Sequence, residues 1–552
     1  MSKARELSKL PNYVLSTVAE LKLSVGKEQG DKAFVGGYYA DGDGGGGDFY
    51  WDAASVEADN GGTIIQVTGI TTGRWKRIYN GAVNVKWFGA KGDGVTDDSV
   101  AIQSAVLATS KNNALEFPYG KFRLTDEVIL NKPITIKGSS QGNILEGYDT
   151  TDNGSYVVQT NISKMAFKLV ADVGNYSFGQ YAVSSIHFVD ICVQGVNNSS
   201  KIVACIGVDT SINGGDFHIR GNSTTRCTFR YAVDAVNLTG IAYLNNFYQT
   251  NFVFSTIGFK VSKGAASDNG GQTRFFGCLF EFNTICLSLN ESSNGGLFSL
   301  FGCTIGDSTT GISTVDEVGI NISGCNFEAN TNCGIYVLTP SAKVNSNCNH
   351  VRNITGNEFY NNGASIWFDK QATSSSDGNF NYPTRIDSNS FLDSLAIKLT
   401  SPYLTGFASK SFVIGGSNTG TDSTFFRGTQ ISSLFYGKLE EKNTFSKRYV
   451  IDATYTSGKI IDMLPLGLVP TKVRMYLTTN ASSFTQLQLG DIQASNRYLA
   501  FDGANTALNT WVTWTPTIPQ LIVSSANNQF RLIGTAGILG AQGVIEVDGY
   551  IT

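Results

Sequence analysis

The sequence predicts an all-β protein whose central part is a parallel β-helix (solenoid), and three observations predict it. Charged residues make up only 16% of the 552 residues, against roughly 25% in an ordinary soluble protein. Two ladders of apolar residues advance together along the chain, with Asn and Gly between them, which excludes helical repeats. Alternating apolar and polar residues then continue to the end of the chain, which indicates further β-strands.

Composition also limits the partners. The formal net charge is −4 and the pI is near 5.6, which argues against nucleic acid as the main partner because phosphate binding needs a cationic surface. No run of 18 apolar residues occurs, so we expect no membrane insertion. Nine cysteines without a C-x-x-C pair and only three histidines predict no metal site and no cofactor. We interpret the cysteines as buried free thiols, made in a reducing cytoplasm.

Residues 1–82 differ in composition from the repetitive part of the chain and predict a small N-terminal leader domain. Four consecutive glycines at 44–47 are interpreted as a plain turn, because no Gly-Lys-Ser/Thr comes after them to make a phosphate loop, and this turn is expected to be a flexible hinge. Strand-like segments are predicted at 63–67 and 73–79.

The most specific motif begins after residue 83. Thr96 is predicted to cap a helix near 96–109, with Asp97 and Asp98 in its first turn, where carboxylates favour the positive end of a helix. We therefore interpret the two aspartates as capping rather than catalytic residues. The motif consists of Phe88-Gly89-Ala90-Lys91-Gly92-Asp93-Gly94-Val95-Thr96-Asp97-Asp98, then Ala101, Gln103 and Ala105, and Phe117-Pro118-Tyr119-Gly120-Lys121-Phe122.

This motif resembles the opening of pectate-lyase-like bacteriophage tailspikes, where the segment caps a right-handed parallel β-helix. The resemblance implies a homotrimer in the virion tail, attached to the tail or baseplate through residues 1–82. It also implies a bacterial surface polysaccharide, capsule or O-antigen, as the partner. The catalytic residues of related enzymes cannot be carried over, because the chain lacks the Asn-Thr-Asp/Gly-His-Gly set of polygalacturonases and the Arg-x-Pro-x-x-Arg of pectate lyases.

An internal repeat assigns residues 83–430 to the solenoid. A small or polar residue stands two positions before Phe or Ile in Cys227-Thr228-Phe229, Thr250-Asn251-Phe252, Cys278-Leu279-Phe280, Cys303-Thr304-Ile305, Cys325-Asn326-Phe327, Asn357-Glu358-Phe359 and Asn389-Ser390-Phe391. A second ladder is predicted at Val236, Ile257, Ile285, Ile312, Ile335, Ile366 and Ile397. Cys278, Cys303 and Cys325 are then expected to stack inside the solenoid.

Residues 440–552 are predicted to form a C-terminal antiparallel β-sandwich. Alternating segments occur at 472–477, 529–533 and 543–550, with turn residues between them. In the tailspikes that the chain resembles, such a domain serves trimerisation or carbohydrate binding.

Four acidic residues are the candidate catalytic groups. With Phe280 and Phe327 inward, the alternation of a strand turns Glu281 and Glu328 outward, two coils apart or about 10 Å. Sugars are cleaved by paired carboxylates, one protonated as acid and one acting as base or nucleophile. The alternative is that outward acids are simply solvated. The candidates are Glu281, Asp307, Glu328 and Glu358.

Candidate substrate-binding residues lie on neighbouring strands. Tyr336 and Trp367 are predicted to point outward on adjacent coils, where their rings suit the apolar faces of sugars. Burial of these rings against another subunit is the alternative. Arg274 and Arg352, near strand starts, are the candidate cationic contacts.

The leading functional hypothesis is an endo-glycoside hydrolase that depolymerises bacterial surface polysaccharide. A lyase is the second hypothesis, and it needs a base together with Arg, Lys or calcium to stabilise a uronate carboxylate. A non-catalytic receptor-binding spike is the third.

Overall fold

The computed structural model describes residues 13–142, 154–171, 182–209, 218–262, 272–289, 296–315, 318–339, 352–370, 384–393 and 397–399, and, from residue 412 onward, backbone strands. None of the helices in this described part is long and apolar enough to cross a membrane.

The N-terminal region forms one five-stranded sheet around a small core of its own. Trp51 and Trp75 lie in that core with ring centroids 5.2 Å apart. The glycine run is a fixed turn and not a hinge, because the buried guanidinium of Arg77 donates to the carbonyls of Gly45 and Gly46 at 2.9 and 2.6 Å. The elements are Tyr13–Thr17, helix Val18–Leu21, Lys32–Gly37, Gly47–Asp52, Ile64–Ile65 and Arg74–Arg77.

Two helical segments close the N-terminal end of the solenoid, a 3₁₀ helix at Val85–Phe88 and an α-helix at Ser99–Ala108. The α-helix buries Ile102, Ala105 and Val106 in the solenoid core. The prediction that Thr96 caps this helix is wrong, since Thr96 lies in a strand and the residue before the helix is Asp98.

The predicted capping role is confirmed for Asp97 alone, since Asp98 precedes the helix and its side chain makes no capping bond. Asp97 accepts from the backbone N–H of Ser99, while Asp98 accepts from those of Lys91 and Gly92 at 2.7 and 3.0 Å. Both carboxylates are therefore committed to structure.

The centre of the molecule is a right-handed parallel β-helix of three long sheets, as predicted. The first sheet comprises Val83–Asn84, Ala114–Glu116, Thr135–Lys137, His187–Val189, Ser223–Thr225, Asn245–Tyr248, Thr273–Phe276, Leu297–Phe301, Gly319–Ser323, Arg352–Thr355, Thr384–Asp387 and Phe412–Ile414. The second comprises Asp93–Asp97, Gly120–Leu124, Ser155–Gln159, Cys192–Gln194, Thr228–Arg230, Asn251–Val253, Leu279–Glu281, Thr304–Gly306, Asn326–Glu328, Glu358–Tyr360, Ser390–Phe391 and Thr419–Gly420. The third comprises Val128–Leu130, Met165–Leu169, Ile202–Val208, Ala232–Thr239, Ile257–Ser262, Ile285–Leu289, Thr310–Val315, Cys333–Thr339, Ile366–Lys370, Ile397–Leu399 and Phe426–Arg427. A short parallel sheet is added by Ala182–Ser184, His218–Arg220 and Ile241–Tyr243.

The first predicted ladder is confirmed along its whole length. Its residues pair coil by coil in the second sheet and are fully or almost fully buried. Their rings stack along the axis where two aromatics meet, as in Phe252 and Phe280 at 4.6 Å. The ladder is Phe229, Phe252, Phe280, Ile305, Phe327, Phe359 and Phe391.

The second predicted ladder is wrong at two positions. Val236 pairs with Phe259, and Phe259 pairs with Leu287, so Ile257 and Ile285 belong to a neighbouring row. Both isoleucines are only half-buried. From Leu287 onward the predicted row holds, through Ile312, Ile335, Ile366 and Ile397.

Each coil makes two tight turns, which we call the first turn (between the first and second sheets) and the second turn (between the second and third sheets). In both, a residue with positive φ is followed by a buried small or polar residue. In the first turn the buried residues include Cys278, Cys303 and Cys325, which are free thiols inside the solenoid, as predicted. In the second turn they are Ser255, Asn283, Ser308, Asn330 and Asn362, and Asp393 takes the equivalent buried place on the next coil.

Two four-stranded antiparallel sheets complete the chain, in agreement with the predicted C-terminal β-sandwich. One contains Thr444–Ile451, Leu468–Thr479, Trp511–Trp514 and Gln542–Ile551, and the other contains Ile460–Met463, Phe484–Leu489, Leu499–Asp502 and Gln529–Gly534.

Candidate active site

Glu281 and Glu328 stand in one outward row of the second sheet, two coils apart. Gly306 lies between them in register, paired with both. A Cβ at Gly306 would come within 2.7 Å of the backbone oxygen of Glu328, so this position stays without a side chain. The two carboxylates therefore flank a notch in the surface of the solenoid.

Asp307 follows Gly306 and occupies the second turn. Its φ of +45° is in the left-handed region, which Asp tolerates better than most residues. The backbone N–H of Asp307 donates to the carbonyl of Glu328 at 3.0 Å, which fixes the turn. The exposed side chain lines an open cleft along the turn.

The environments of the three acids differ. Glu281 is half-buried, whereas Asp307 and Glu328 are exposed. Burial, and then repulsion from Asp307 and Glu328, raises the pKa of Glu281 above its ordinary value. A carboxyl that keeps its proton beside ionised neighbours can serve as a general acid.

Glu358 does not join this row. It points outward one coil beyond Glu328, but it pairs with Asn326, while Tyr360 pairs with Glu328. Glu358 therefore stands in the other outward row of the sheet, and the structure separates it from the column in which the sequence had placed it.

The two predicted aromatic residues do meet. Tyr336 and Trp367 pair on adjacent strands of the third sheet, with ring centroids 5.1 Å apart. The rings meet edge to face, and Lys398 lies 3.3 Å from the centroid of the Trp367 ring. The hydroxyl of Tyr336 donates to Asp369 at 2.7 Å. Tyr336 and Lys398 thus already contact the indole.

The two predicted arginines lie apart from the acids, on the first sheet. Arg274 points outward and donates to Gln272. Arg352 is completely buried, so the structure contradicts its prediction as a surface contact for a saccharide. It pairs with buried Thr384 on the next strand, on the inward side.

Two residues of the site were missed by the sequence analysis. Phe282 and Lys201 line the same cleft as Asp307. Strand alternation after inward Phe280 would turn Phe282 inward, but its φ of +57° places it in the turn instead. No sequence signal brings Lys201 here, because its segment belongs to a coil four below that of Asp307.

No group of three or more side chains suited to holding a metal ion occurs in the described part of the chain. The chemistry of the site is that of three carboxylates, one of them with a raised pKa, beside a lysine and an exposed aromatic ring.

Two family models match the chain. Residues 14–80 match the phage tail protein small four-stranded beta-sheet domain. Residues 82–336 match the family described as rhamnogalacturonase A/epimerase, pectate lyase-like. These matches confirm the resemblance predicted from the motif at residues 88–98, a pectate-lyase-like phage tail protein.

A curated relative and solved structures extend the comparison. The Mu-like prophage FluMu defective tail fiber protein of Haemophilus influenzae is 24% identical over 325 residues, 51% of this chain and 50% of that protein. The tailspike gp42 of Acinetobacter phage vb_AbaP_AS12 shares the fold, with a TM-score of 0.51, 13% identity and 78% of each chain covered. Tailspike gp49 of Acinetobacter baumannii bacteriophage Fri1 is described as a capsular polysaccharide depolymerase. Its structure gives a TM-score of 0.48 at 13% identity, with 98% of each chain covered.

Proposed function

We propose that this chain is a bacteriophage tailspike that binds a bacterial surface polysaccharide, capsule or O-antigen, and hydrolyses its glycosidic bonds. The observation that carries the proposal is the row of Glu281, Gly306 and Glu328, with Asp307 beside it. Three carboxylates on three successive coils, one of which holds its proton more tightly, match the acid and base pair of glycosidases.

In this mechanism Glu281 is the general acid that protonates the leaving oxygen. Its burial and the charges of its neighbours keep the carboxyl protonated at higher pH than usual. Either exposed acid can be the partner. Asp307 lies one coil away, or about 5 Å, and Glu328 two coils away, or about 10 Å. The shorter spacing suits a nucleophile and retention, and the longer one suits a water-activating base and inversion.

The test is release of reducing ends from a panel of purified capsules and O-antigens by the full chain. Proton NMR of the first product then distinguishes retention from inversion, and so Asp307 from Glu328. Binding to one polysaccharide without release of reducing ends would establish a receptor-binding spike instead.

A lyase is the second candidate, and Lys201 favours it. This lysine lines the same cleft as Asp307, and a cation beside a base is what β-elimination next to a uronate needs. A lyase product carries a double bond that absorbs ultraviolet light. A rise in ultraviolet absorbance during cleavage would therefore show that the reaction is elimination and not hydrolysis.

Assembly and attachment complete the proposal. The phage tail domain match at residues 14–80 supports attachment of the N-terminal region to the phage tail, and we infer a homotrimer from the resemblance to tailspikes. Sedimentation should then give about three times the chain mass of 59.3 kDa. A stable monomer at micromolar concentration would refute the trimer.

A further inference from the structure

The cleft beside Asp307 extends well past the acids. Its lining comes from four successive coils, beginning at Ser255 and ending at Thr331, and from Asn198 and Lys201 on the connection before the third sheet. The groove therefore runs along the solenoid axis, in the direction a polymer would follow.

One wall of the groove is the face of an aromatic ring. Phe282 stacks on Phe254 with centroids 4.8 Å apart and planes 9° from parallel. That separation is the spacing between coils, so the rings stand across the axis. On the next two coils the same turn position is held by Asp307 and Ala329, so the described residues of this turn place no aromatic ring on the other face of Phe282. Phe282 is 36% exposed.

The lower end of the groove carries a cation. Lys201 is half-buried, and its ammonium lies 3.5 Å from the hydroxyl of Thr256. Within the described part of the chain it forms no ion pair with a carboxylate. Burial lowers the pKa of this lysine, and an anionic ligand would supply the missing counter-charge.

We propose that the groove binds a stretch of an acidic polysaccharide, with one sugar ring packed on the free face of Phe282 and a sugar carboxylate paired with Lys201. Thr256 and Asp307 stand two coils apart, or about 10 Å, so the two contacts fall on different sugars of one chain. The exposed hydroxyls of Thr284, Thr309 and Thr331 follow the groove at the coil spacing and suit sugar hydroxyls. This inference rests on the proposed function and names its substrate class.

The test measures binding without cleavage. Saturation-transfer NMR on the full chain compares methyl β-glucuronide with methyl β-glucoside, which differ at the carboxylate. The wild type should bind the glucuronide about tenfold more tightly, the scale of one charge-assisted hydrogen bond. Lys201→Met should remove this preference, while Lys164→Met, which deletes an exposed lysine paired with Asp126, should keep it.

The stacking contact has its own matched pair of variants. Phe282→Ala should abolish saturation transfer to the ring protons of methyl β-glucoside, which has no carboxylate for Lys201 to hold. Phe254→Ala breaks the same ring stack but leaves the Phe282 ring in the groove, so it should retain transfer. Unchanged melting temperatures show that the variants fold.

Equal binding of the two sugars by the wild type, or a preference that survives Lys201→Met, would overturn the inference. So would an absence of binding at millimolar sugar. These outcomes are separate from failure of the proposed function, which is an absence of reducing ends in the cleavage assay.

Discussion

The two turns of each coil have a similar backbone conformation and differ in the side chains that they present to solvent. In four consecutive coils the left-handed residue of the first turn is glycine, at 277, 302, 324 and 356. In the same coils the second turn uses Phe282, Asp307, Ala329 and Asn361. A non-glycine residue in this conformation costs on the order of 1 kcal/mol. The first turn avoids the strain, whereas the second accepts it and gains side chains along a ridge.

Inside the solenoid the two turns are alike. Asn357 of the first turn accepts from the backbone N–H of Cys325 at 2.9 Å and donates to Ile322 O at 3.0 Å. Asn362 of the second turn accepts from Asn330 N and donates to Phe327 O in the same way. The buried ladders thus hold the coils together, and the outward positions of the turns and strands are left for binding and catalysis.

The largest expected effect tests whether the acids at the second turn and at the strand ends beside it carry the chemistry. Glu281→Gln, Asp307→Asn and Glu328→Gln keep the shape but remove the titratable proton. At least one should lower turnover by about 100-fold, the scale of lost acid–base catalysis, with little change in melting temperature. Glu116→Gln, on the first sheet, is the control. Wild-type turnover in all three variants would place the chemistry elsewhere.

The second test concerns the shared interior. Asn357→Ala and Asn362→Ala each leave a buried backbone N–H and carbonyl without partners, so each should lower the free energy of unfolding by about 3 kcal/mol. Melting temperatures at one scan rate measure the loss. Asn353→Ala, outward on the first sheet, should change it by less than about 0.5 kcal/mol. A large loss of stability for only one of the two variants would show that the buried residues of the two turns are not equivalent.

A third, smaller effect tests the strain itself. Ala329→Gly should raise the free energy of unfolding by about 1 kcal/mol, because glycine adopts positive φ without a Cβ clash. Gly302→Ala should lower it by a similar amount, although its added Cβ would meet no atom within 4 Å. If both variants melt like the wild type, strain does not distinguish the two turns.

The smallest effect is a pH dependence at Glu281. Its pKa is raised in the folded chain, so folding favours the protonated form, and stability falls as pH rises from the ordinary carboxyl range through the raised pKa. Glu281→Gln removes this penalty. The variant should therefore melt above the wild type at neutral pH and together with it at acidic pH. A pH-independent difference would contradict the shifted pKa.

Much of the fold could be predicted because one row of buried side chains repeats regularly in the sequence. The Phe and Ile row of the second sheet comes directly after a turn signature, so its register was correct, and with it the alignment of Glu281 and Glu328. The second row failed at Ile257 because Phe259, two residues on, satisfies the same alternation. Alternation cannot choose between them when the number of residues in the turn varies.

The site was predicted less completely than the fold. Two of the predicted residues were placed on the wrong side or in the wrong row of a strand. Glu358 precedes its inward phenylalanine, whereas Glu328 follows its own, so the two glutamates occupy different outward rows. Arg352 stands two residues before buried Ile354, and alternation alone assigns it inward. Phe282 and Lys201 depend on a left-handed turn and on a connection that crosses coils, neither of which leaves a periodic signal.

The helix Ser99–Ala108 affects whether one solenoid can associate end to end with another. The outermost strands of the first and second sheets, Val83–Asn84 and Asp93–Asp97, would otherwise offer unpaired N–H and C=O groups to the open end of another solenoid. The helix packs near this end and places Ile102, Ala105 and Val106 in its core. Solenoids of this kind would otherwise join end to end as their concentration rose. Because the helix covers this end, the length of the solenoid depends on the number of coils in the chain and not on the protein concentration.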